Sequence, residues 1–173
     1  GLTYSYVDDA DVFIERLDPE DPSRYLTPDG WAELETREER IALPGGRAET
    51  VTLARTRHGP VIPPDQLGVG GVTPEGHVAA LAWTALIEPD PSVSAGLRLM
   101  RARSLEAGYA AMEGHVAPAM NVTMADRSGV GLFVAGAAPL RNPESPSRGR
   151  LPAPGWRAEN DWLGLLPRAA LPK

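Results

Sequence analysis

The sequence contains no cysteine. That absence excludes disulfide bonds, thiolate nucleophiles and zinc sites built on cysteine ligands. It leaves the cellular compartment open, because exported bacterial proteins can also lack cysteine.

Basic clusters and long apolar runs are missing as well. The 173 residues include 17 Lys and Arg against 23 Asp and Glu, which gives a formal net charge of -6. No stripe of Lys and Arg could follow a phosphate backbone, so we expect no nucleic-acid partner. No apolar run approaches the roughly 18 residues that a membrane-spanning helix needs, so we expect no membrane partner. The first residues, GLTYSYVDD, lack the basic region of a signal peptide.

What the sequence does contain is typical of a folded domain with many turns. Hydrophobic residues make up 42% of the chain, which also has 18 Gly and 18 Pro, spread as turn signals. This length allows one domain with a real core, so we predict a single domain over residues 1–173. Because Gly1 begins almost inside a strand-like pattern, we expect the chain to be a segment of a longer protein.

The hydrophobic pattern predicts an α+β fold, mostly strands with one main helix. A Pro- and Asp-rich loop is predicted over residues 18–31. The helix is predicted from Ser94, as N-cap, to about Gly114. In the strand at 35–43, Ile41 and Leu43 are expected to point inward. The other predicted elements are strands at 12–17 and 48–62, a strand or short buried helix at 77–86, and a hairpin at 120–141.

Three carboxylates lie together just before an apolar stretch, at Asp8, Asp9 and Asp11. In a flat strand Asp8 and Asp11 would point to opposite faces, so they converge only if the chain bends between them. Such a bend would also turn the Ala10 carbonyl toward the same point. Calcium binds six to eight oxygens of these kinds, so the pattern indicates either a calcium site or a solvated loop at a strand start.

Other candidate residues favour structural roles. The histidines, His58, His77 and His115, have no second ligand at the spacing of a metal-binding helix. No G-x-S-x-G motif is present for an esterase-type nucleophile. The aromatic side chains of Tyr4, Tyr6 and Trp83 are, by residue type, more often core than ligand platform.

A resemblance to one family is carried by six segments in order: DDADVFIERLDPEDPSRYLTPDGW, TREERIAL, RTRHGPVI, LAWT, NVTMADRSG and RGRLPAPGW…DWLGLLP. The set resembles the β chain of the penicillin acylase (penicillin amidase) family over nearly the whole sequence. One departure is the turn DRSGVG, which is about a residue shorter than the family pattern.

The resemblance implies a fold and an activity. The fold is the αββα sandwich of an N-terminal nucleophile hydrolase, of which this chain would supply a β-rich part. These hydrolases cleave the amide bond of N-acylated small molecules, such as β-lactam antibiotic side chains or acyl-homoserine lactones. The resemblance also implies a self-cutting precursor (a zymogen), a catalytic N-terminal Ser upstream of Gly1, and a periplasmic or secreted location.

The resemblance further implies roles for individual residues. The backbone N–H of Tyr4 would donate to the oxyanion. The acyl pocket would be lined by Leu2, Tyr6, Trp83 and Met120. A structural calcium ion would be bound by the carboxylates of Asp8 and Asp11 and the carbonyls of Ala10 and Gly149, with two further ligands from outside this sequence.

Partners and a competing function follow from the same reading. The implied partners are a small amide substrate, the α chain and the remaining β chain of the precursor. Without them we expect this segment to be inactive and capable of self-association through exposed apolar patches. The competing hypothesis is a non-catalytic, calcium-stabilised β-rich binding domain. A gene with a processed Ser upstream favours the hydrolase.

Overall fold

Strands dominate the computed structural model, which describes residues 1–171. The strands are β1 (Leu2–Tyr4), β2 (Ala10–Arg16), β3 (Arg24–Thr27), β4 (Gly30–Glu33), β5 (Glu35–Ala42), β6 (Ala48–Thr56), β7 (Gly59–Ile62), β8 (His77–Trp83), β9 (Met120–Asp126), β10 (Gly129–Ala135), β11 (Pro139–Arg141), β12 (Ala153–Pro154) and β13 (Trp162–Leu165). The helices are α1 (Ser92–Leu99) and α2 (Leu105–Ala111). The α+β class is confirmed. Within residues 1–171, neither helix is long and apolar enough to span a bilayer.

The chain folds into two compact units. The first contains residues 1–10, 83–140 and the segment from Trp162 onward. The second contains residues 11–82 and 141–161.

The first unit is built on an antiparallel sheet in the order β1-β9-β10. Its register places Leu2 opposite Val122 and Tyr4 opposite Met120, and Phe133 opposite Val122 on the other side. One face of this sheet packs on the helices. The buried cluster there consists of Ala95, Met112, Val122, Phe133 and Ala135, with Leu99, Tyr109, Met120 and Met124 packed against it.

The single helix predicted from Ser94 to Gly114 is wrong in detail, because the segment forms two short helices. The break occurs at Ser104, whose extended backbone cannot continue α1. The Ser104 hydroxyl accepts a hydrogen bond from the Ala107 N–H at 3.1 Å and so caps α2. The residue that precedes α1 as N-cap is Pro91, not Ser94.

The predicted hairpin at 120–141 is confirmed as β9 and β10, and Asp126 closes its turn. The Asp126 carboxylate accepts hydrogen bonds from the Ser128 hydroxyl and N–H and from the Leu105 N–H at 2.8 Å. These hydrogen bonds lower the pKa of Asp126 from 3.8 to about 2, and the bond from the Ser128 side chain has the largest effect. Burial acts in the opposite direction but is outweighed.

Because the folded pKa of Asp126 is depressed, its ionised form stabilises the fold above pH 3.8, and this contribution is lost as the pH falls through about 2. We therefore expect Asp126→Ala to be less stable than the parent chain at pH 7. The difference should shrink steadily between pH 4 and 2 in urea unfolding followed by circular dichroism. Glu113→Ala, at an exposed carboxylate, is the control; an Asp126→Ala deficit that does not depend on pH would contradict the assignment.

The second unit contains a six-stranded sheet in the order β12-β2-β8-β7-β6-β5. Residues 77–83 are therefore a strand, β8, rather than a helix, Thr84–Leu86 form a 3₁₀ turn, and the predicted strand at 48–62 is interrupted at Arg57 and His58. The core of this sheet consists of Ile14, Ile62, Val69 and Ala79, with Val12 and Leu81 packed against it.

Two predictions about this unit are wrong. The segment at 18–31 is not only loop, because Arg24–Thr27 pairs with Gly30–Glu33 as a small hairpin. Every residue of β5 is exposed, Ile41 included, so Ile41 does not point inward. The reason is that β5 is the edge strand, paired only with β6, and its sequence, ETREERIA, is too rich in charged residues to bury either face.

Candidate functional site

The edge strand β1 turns the backbone N–H groups of Leu2 and Tyr4 away from its neighbour β9. The Thr123 N–H donates to the Gly1 carbonyl at 2.8 Å, and the Ser5 N–H donates to the Ala119 carbonyl at 3.0 Å. Hydrogen-bonded and non-hydrogen-bonded pairs alternate along an antiparallel ladder. Tyr4, opposite Met120, therefore occupies a non-hydrogen-bonded pair. Its N–H points away from β9, toward an edge that no other strand of the described chain covers.

Apolar side chains surround this donor. Leu2 and Tyr4 share one face of β1 with Met120 of β9, as the register requires. The Tyr6 ring meets the Tyr4 ring edge-on, with centroids 4.9 Å apart, and Tyr6 is 93% exposed. Of the predicted pocket residues, the structure thus brings Leu2 and Met120 together on one face, with Tyr6 adjacent through Tyr4.

The surroundings of Tyr4 extend to two more residues. Trp83 is exposed at the end of β8. The next residue, Thr84, donates its N–H to the Asp9 carbonyl at 3.0 Å, which places Trp83 close to the segment that follows β1. The Asn121 side-chain amide donates to the Tyr4 carbonyl at 3.2 Å and helps to hold the strand.

Strand β2 buries two carboxylates on one face. Side chains alternate along a strand, and Asp11, Phe13 and Glu15, which share a face, are all buried. The Arg141 guanidinium binds the Asp11 carboxylate through Nε, 2.9 Å from Oδ2, and through Nη2, 3.1 Å from Oδ1. Gly149 lies against this pair, since a methyl group there would come within 2.6 Å of Asp11 Oδ1.

Asp11 and Gly149, two of the four predicted calcium ligands, therefore lie together around a cavity of about 10 Å³. The fit to calcium is incomplete within this chain. Both Asp11 oxygens already accept from Arg141, and within residues 1–171 no three His, Cys, Asp or Glu side chains form a group that could hold a metal. Calcium needs six to eight oxygen ligands, so the remaining ligands would have to come from outside this chain.

The second carboxylate, Glu15, belongs to a buried network with His58. Glu15 is 0% exposed. Its Oε1 accepts from the Thr56 hydroxyl at 3.0 Å and lies 2.7 Å from His58 Nδ1. The His58 ring stacks flat on Phe13, with centroids 3.7 Å apart. His58 therefore has the structural role that its sequence context indicates.

The network continues to Asp161 and Arg57. His58 Nε2 lies 3.0 Å from Asp161 Oδ1, and the Arg57 guanidinium donates to both Asp161 oxygens, at 2.6 and 3.0 Å. Burial raises the Asp161 pKa, but hydrogen bonds from Arg57 and His58 outweigh it and hold the pKa below its usual value. Arg57 also donates to the Gly155 carbonyl at 2.8 Å.

Sequence reasoning missed Glu15 and Asp161. A signal for Glu15 exists, because the period-2 alternation puts it on the same face as Phe13, where a core residue belongs. Asp161 carries no such signal, since it follows β2 by more than 140 residues and lies between short elements.

Known proteins share this architecture. The thermostable penicillin G acylase of Alcaligenes faecalis superposes with a TM-score of 0.83 at 26% identity, over 99% of this chain and 29% of that one. Penicillin G acylase of Escherichia coli is 34% identical over 100% of this chain and 19% of its own length. Acyl-homoserine lactone acylase QuiP of Pseudomonas fluorescens is 31% identical over 91% of this chain and 19% of its own length.

The class that these relatives define is that of the acylases, hydrolases with an α+β fold. The model of the penicillin amidase family matches residues 1–173. The chain belongs to the penicillin amidase family. It spans about a fifth of the length of the curated relatives it matches.

Proposed function

We propose that this chain is a segment of an acylase that cleaves the amide bond of N-acylated small molecules, with Tyr4 supplying a backbone donor to the oxyanion. The observation that carries the proposal is the direction of the Tyr4 N–H, which points to the open edge of the β1-β9-β10 sheet. An N–H that is not used by the ladder is available to a reacting oxygen.

The proposed chemistry assigns the nucleophile to a Ser outside this sequence. Its hydroxyl attacks the amide carbon and gives its proton to the α-amino group of the same Ser, which later passes it to the leaving amine, and the carbonyl oxygen gains negative charge. The Tyr4 N–H donates to that oxygen, where a fixed dipole stabilises the developing charge. The C–N bond then breaks, the amine leaves with a proton, and water hydrolyses the acyl ester.

The acyl group is proposed to lie on Leu2, Tyr6, Trp83 and Met120. All four side chains are apolar or aromatic, as a hydrophobic acyl chain or aryl ring requires. Leu2, Tyr6 and Trp83 are exposed, while Met120 is half-buried against the core cluster of the first unit. Exposed apolar groups beside an unused backbone donor favour a substrate surface over a purely structural edge.

The test uses the complete enzyme and a series of acyl-chromophore amides of increasing acyl length. We expect hydrolysis. We also expect Met120→Ala to shift the ratio of kcat/KM between bulky and small acyl groups about tenfold toward the bulky ones, because the pocket loses the roughly three heavy atoms of the Met120 side chain beyond Cβ. Met124→Ala, on the same face of β9, is the control and should lower stability without changing selectivity. No hydrolysis of any amide would reject the function.

We also propose, from the resemblance alone, that Asp8, Ala10, Asp11 and Gly149 contribute to a calcium site in the complete enzyme. If so, dialysis against a chelator should lower the Tm of the complete enzyme, and calcium should restore it. The isolated 173-residue chain should respond weakly, because four oxygens are too few for this ion. An unchanged Tm of the complete enzyme would reject the site.

A further inference from the structure

Asn121 of β9 binds both of the peptide groups that flank Tyr4. Its side-chain amide donates to the Tyr4 carbonyl at 3.2 Å. Asn121 lies opposite Thr3. Because Tyr4 occupies a non-hydrogen-bonded pair, the pair of Thr3 and Asn121 is hydrogen-bonded, and the Asn121 backbone N–H donates to the Thr3 carbonyl. One residue therefore holds the carbonyl before the Tyr4 N–H and the carbonyl after it.

The backbone bond determines the side of β1 to which the Tyr4 N–H points. The Thr3 carbonyl and the Tyr4 N–H belong to the same planar trans peptide and point in opposite directions. A peptide whose carbonyl is bound to β9 therefore directs its N–H away from β9. This bond is a single point of attachment, so the peptide plane can still rotate about the strand axis.

The side-chain bond restricts that rotation by fixing the next peptide. The Tyr4 carbonyl and the Ser5 N–H share one peptide, whose carbonyl accepts from Asn121 and whose N–H donates to the Ala119 carbonyl at 3.0 Å. Ala119 is buried and packs against Gly136 so closely that a methyl group on Gly136 would come within 2.8 Å of it. Two peptide planes meet at the Tyr4 Cα, so fixing the second plane limits movement of the first.

Strand β1 needs this support because little else holds it. It has three residues, all of them exposed, and in the described chain it pairs only with β9. Short exposed segments of this kind open locally at low cost in free energy. The bond from Asn121 lies at the last residue of β1, where a strand opens first.

We propose that Asn121 is a positioning residue for the oxyanion donor, because its side-chain amide fixes the peptide after Tyr4 and keeps the Tyr4 N–H directed at the reacting oxygen. Asn121 itself does not touch the substrate. The inference rests on the proposed function, in which the Tyr4 N–H is the donor. The carbonyl oxygen becomes negatively charged as the reaction proceeds, so a misdirected donor lowers kcat and leaves KM nearly unchanged.

The test is Asn121→Ala in the complete enzyme, measured with a chromogenic amide. We expect kcat to fall about tenfold, a part of the roughly 10²–10³ that complete loss of such a donor costs, while KM changes less than about twofold. Thr123→Ala is the matched control, because Thr123 is exposed on the same face of β9, and it should leave kcat and KM nearly unchanged. An unchanged kcat in Asn121→Ala, or a loss that falls on KM instead, would overturn the proposal.

A double-mutant cycle separates positioning from a general loss of structure. If Asn121 acts through the Tyr4 N–H, Asn121→Ala should change kcat less than about twofold once Tyr4→Pro has removed that N–H. The same tenfold loss in both backgrounds would overturn the proposal. Asn121→Asp keeps the size of the side chain, but its carboxylate has no proton to donate, so it should also lower kcat.

The positioning role and the proposed function fail in different ways. A near-normal kcat in Tyr4→Pro would reject the Tyr4 N–H as the donor and the role of Asn121 with it. A low kcat in Tyr4→Pro beside a normal kcat in Asn121→Ala would reject the positioning role alone and leave the Tyr4 donor standing.

Discussion

Tyr4→Pro is expected to lower the kcat of the complete enzyme by about 10²–10³, the usual cost of losing one oxyanion donor. Proline has no backbone N–H, so the substitution removes the proposed donor; it also removes the tyrosine ring, which a separate variant has to control for. The strand should tolerate it, because the Tyr4 N–H points away from β9 and proline is accepted on edge strands at such positions. The measurement is kcat with a chromogenic amide, beside urea unfolding to confirm the fold.

Two controls isolate the donor. Tyr4→Ala removes the ring but keeps the N–H, and it should retain far more activity than Tyr4→Pro because the proposed donor stays in place. Thr3→Pro removes the neighbouring N–H, which by the alternation of the ladder faces Asn121 of β9. That variant should lose stability. Tyr4→Pro with near-normal kcat would remove Tyr4 from the oxyanion hole.

His58→Ala is expected to destabilise the 173-residue chain by about 3–5 kcal/mol, the range found when a buried pair loses one partner. The change would leave Glu15, which is 0% exposed, with only the Thr56 hydroxyl on its Oε1. It would also remove the ring that stacks on Phe13. Urea unfolding at pH 7 measures the difference.

A double-mutant cycle tests whether Glu15 causes that loss. Glu15→Gln removes the charge, so Glu15→Gln with His58→Ala should cost less than the sum of the two single changes. His77→Ala is the matched control, because this ring is only half-buried and lies 2.9 Å from the backbone carbonyl of Glu75. Strict additivity would show that His58 acts through packing on Phe13 alone.

The sequence predicted the elements whose signals are local. The hairpin around Asp126 carries its own turn residues, and β2 follows a clear apolar run, so both were found. The helix break at Ser104 was missed because Leu97, Leu105 and Met112 keep a helical spacing across it. Ile41 was misplaced because an apolar residue in a strand is expected to face inward, whereas β5 lies at the sheet edge, a position that the local sequence does not reveal.

The candidate site was predictable only in part. Its residues came from resemblance, whereas the direction of the Tyr4 N–H depends on the register of β1 against β9, which no single-strand pattern determines. The Glu15–His58–Asp161 network requires contacts between residues more than 40 and 100 positions apart, beyond the reach of local periodicity.

The paired charges of β2 have a consequence for how this strand finds its place. Sliding β2 by one residue would turn Asp11 and Glu15 into the apolar cluster of Ile62, Val69 and Ala79 and present Val12 and Ile14 to Arg141 and His58. A one-residue slip would thus bury two unpaired carboxylates among hydrocarbon and leave the Arg141 guanidinium facing it, so this misalignment is penalised during folding. The two acidic side chains thus specify the register of β2, and their contribution is to conformational specificity rather than to stability.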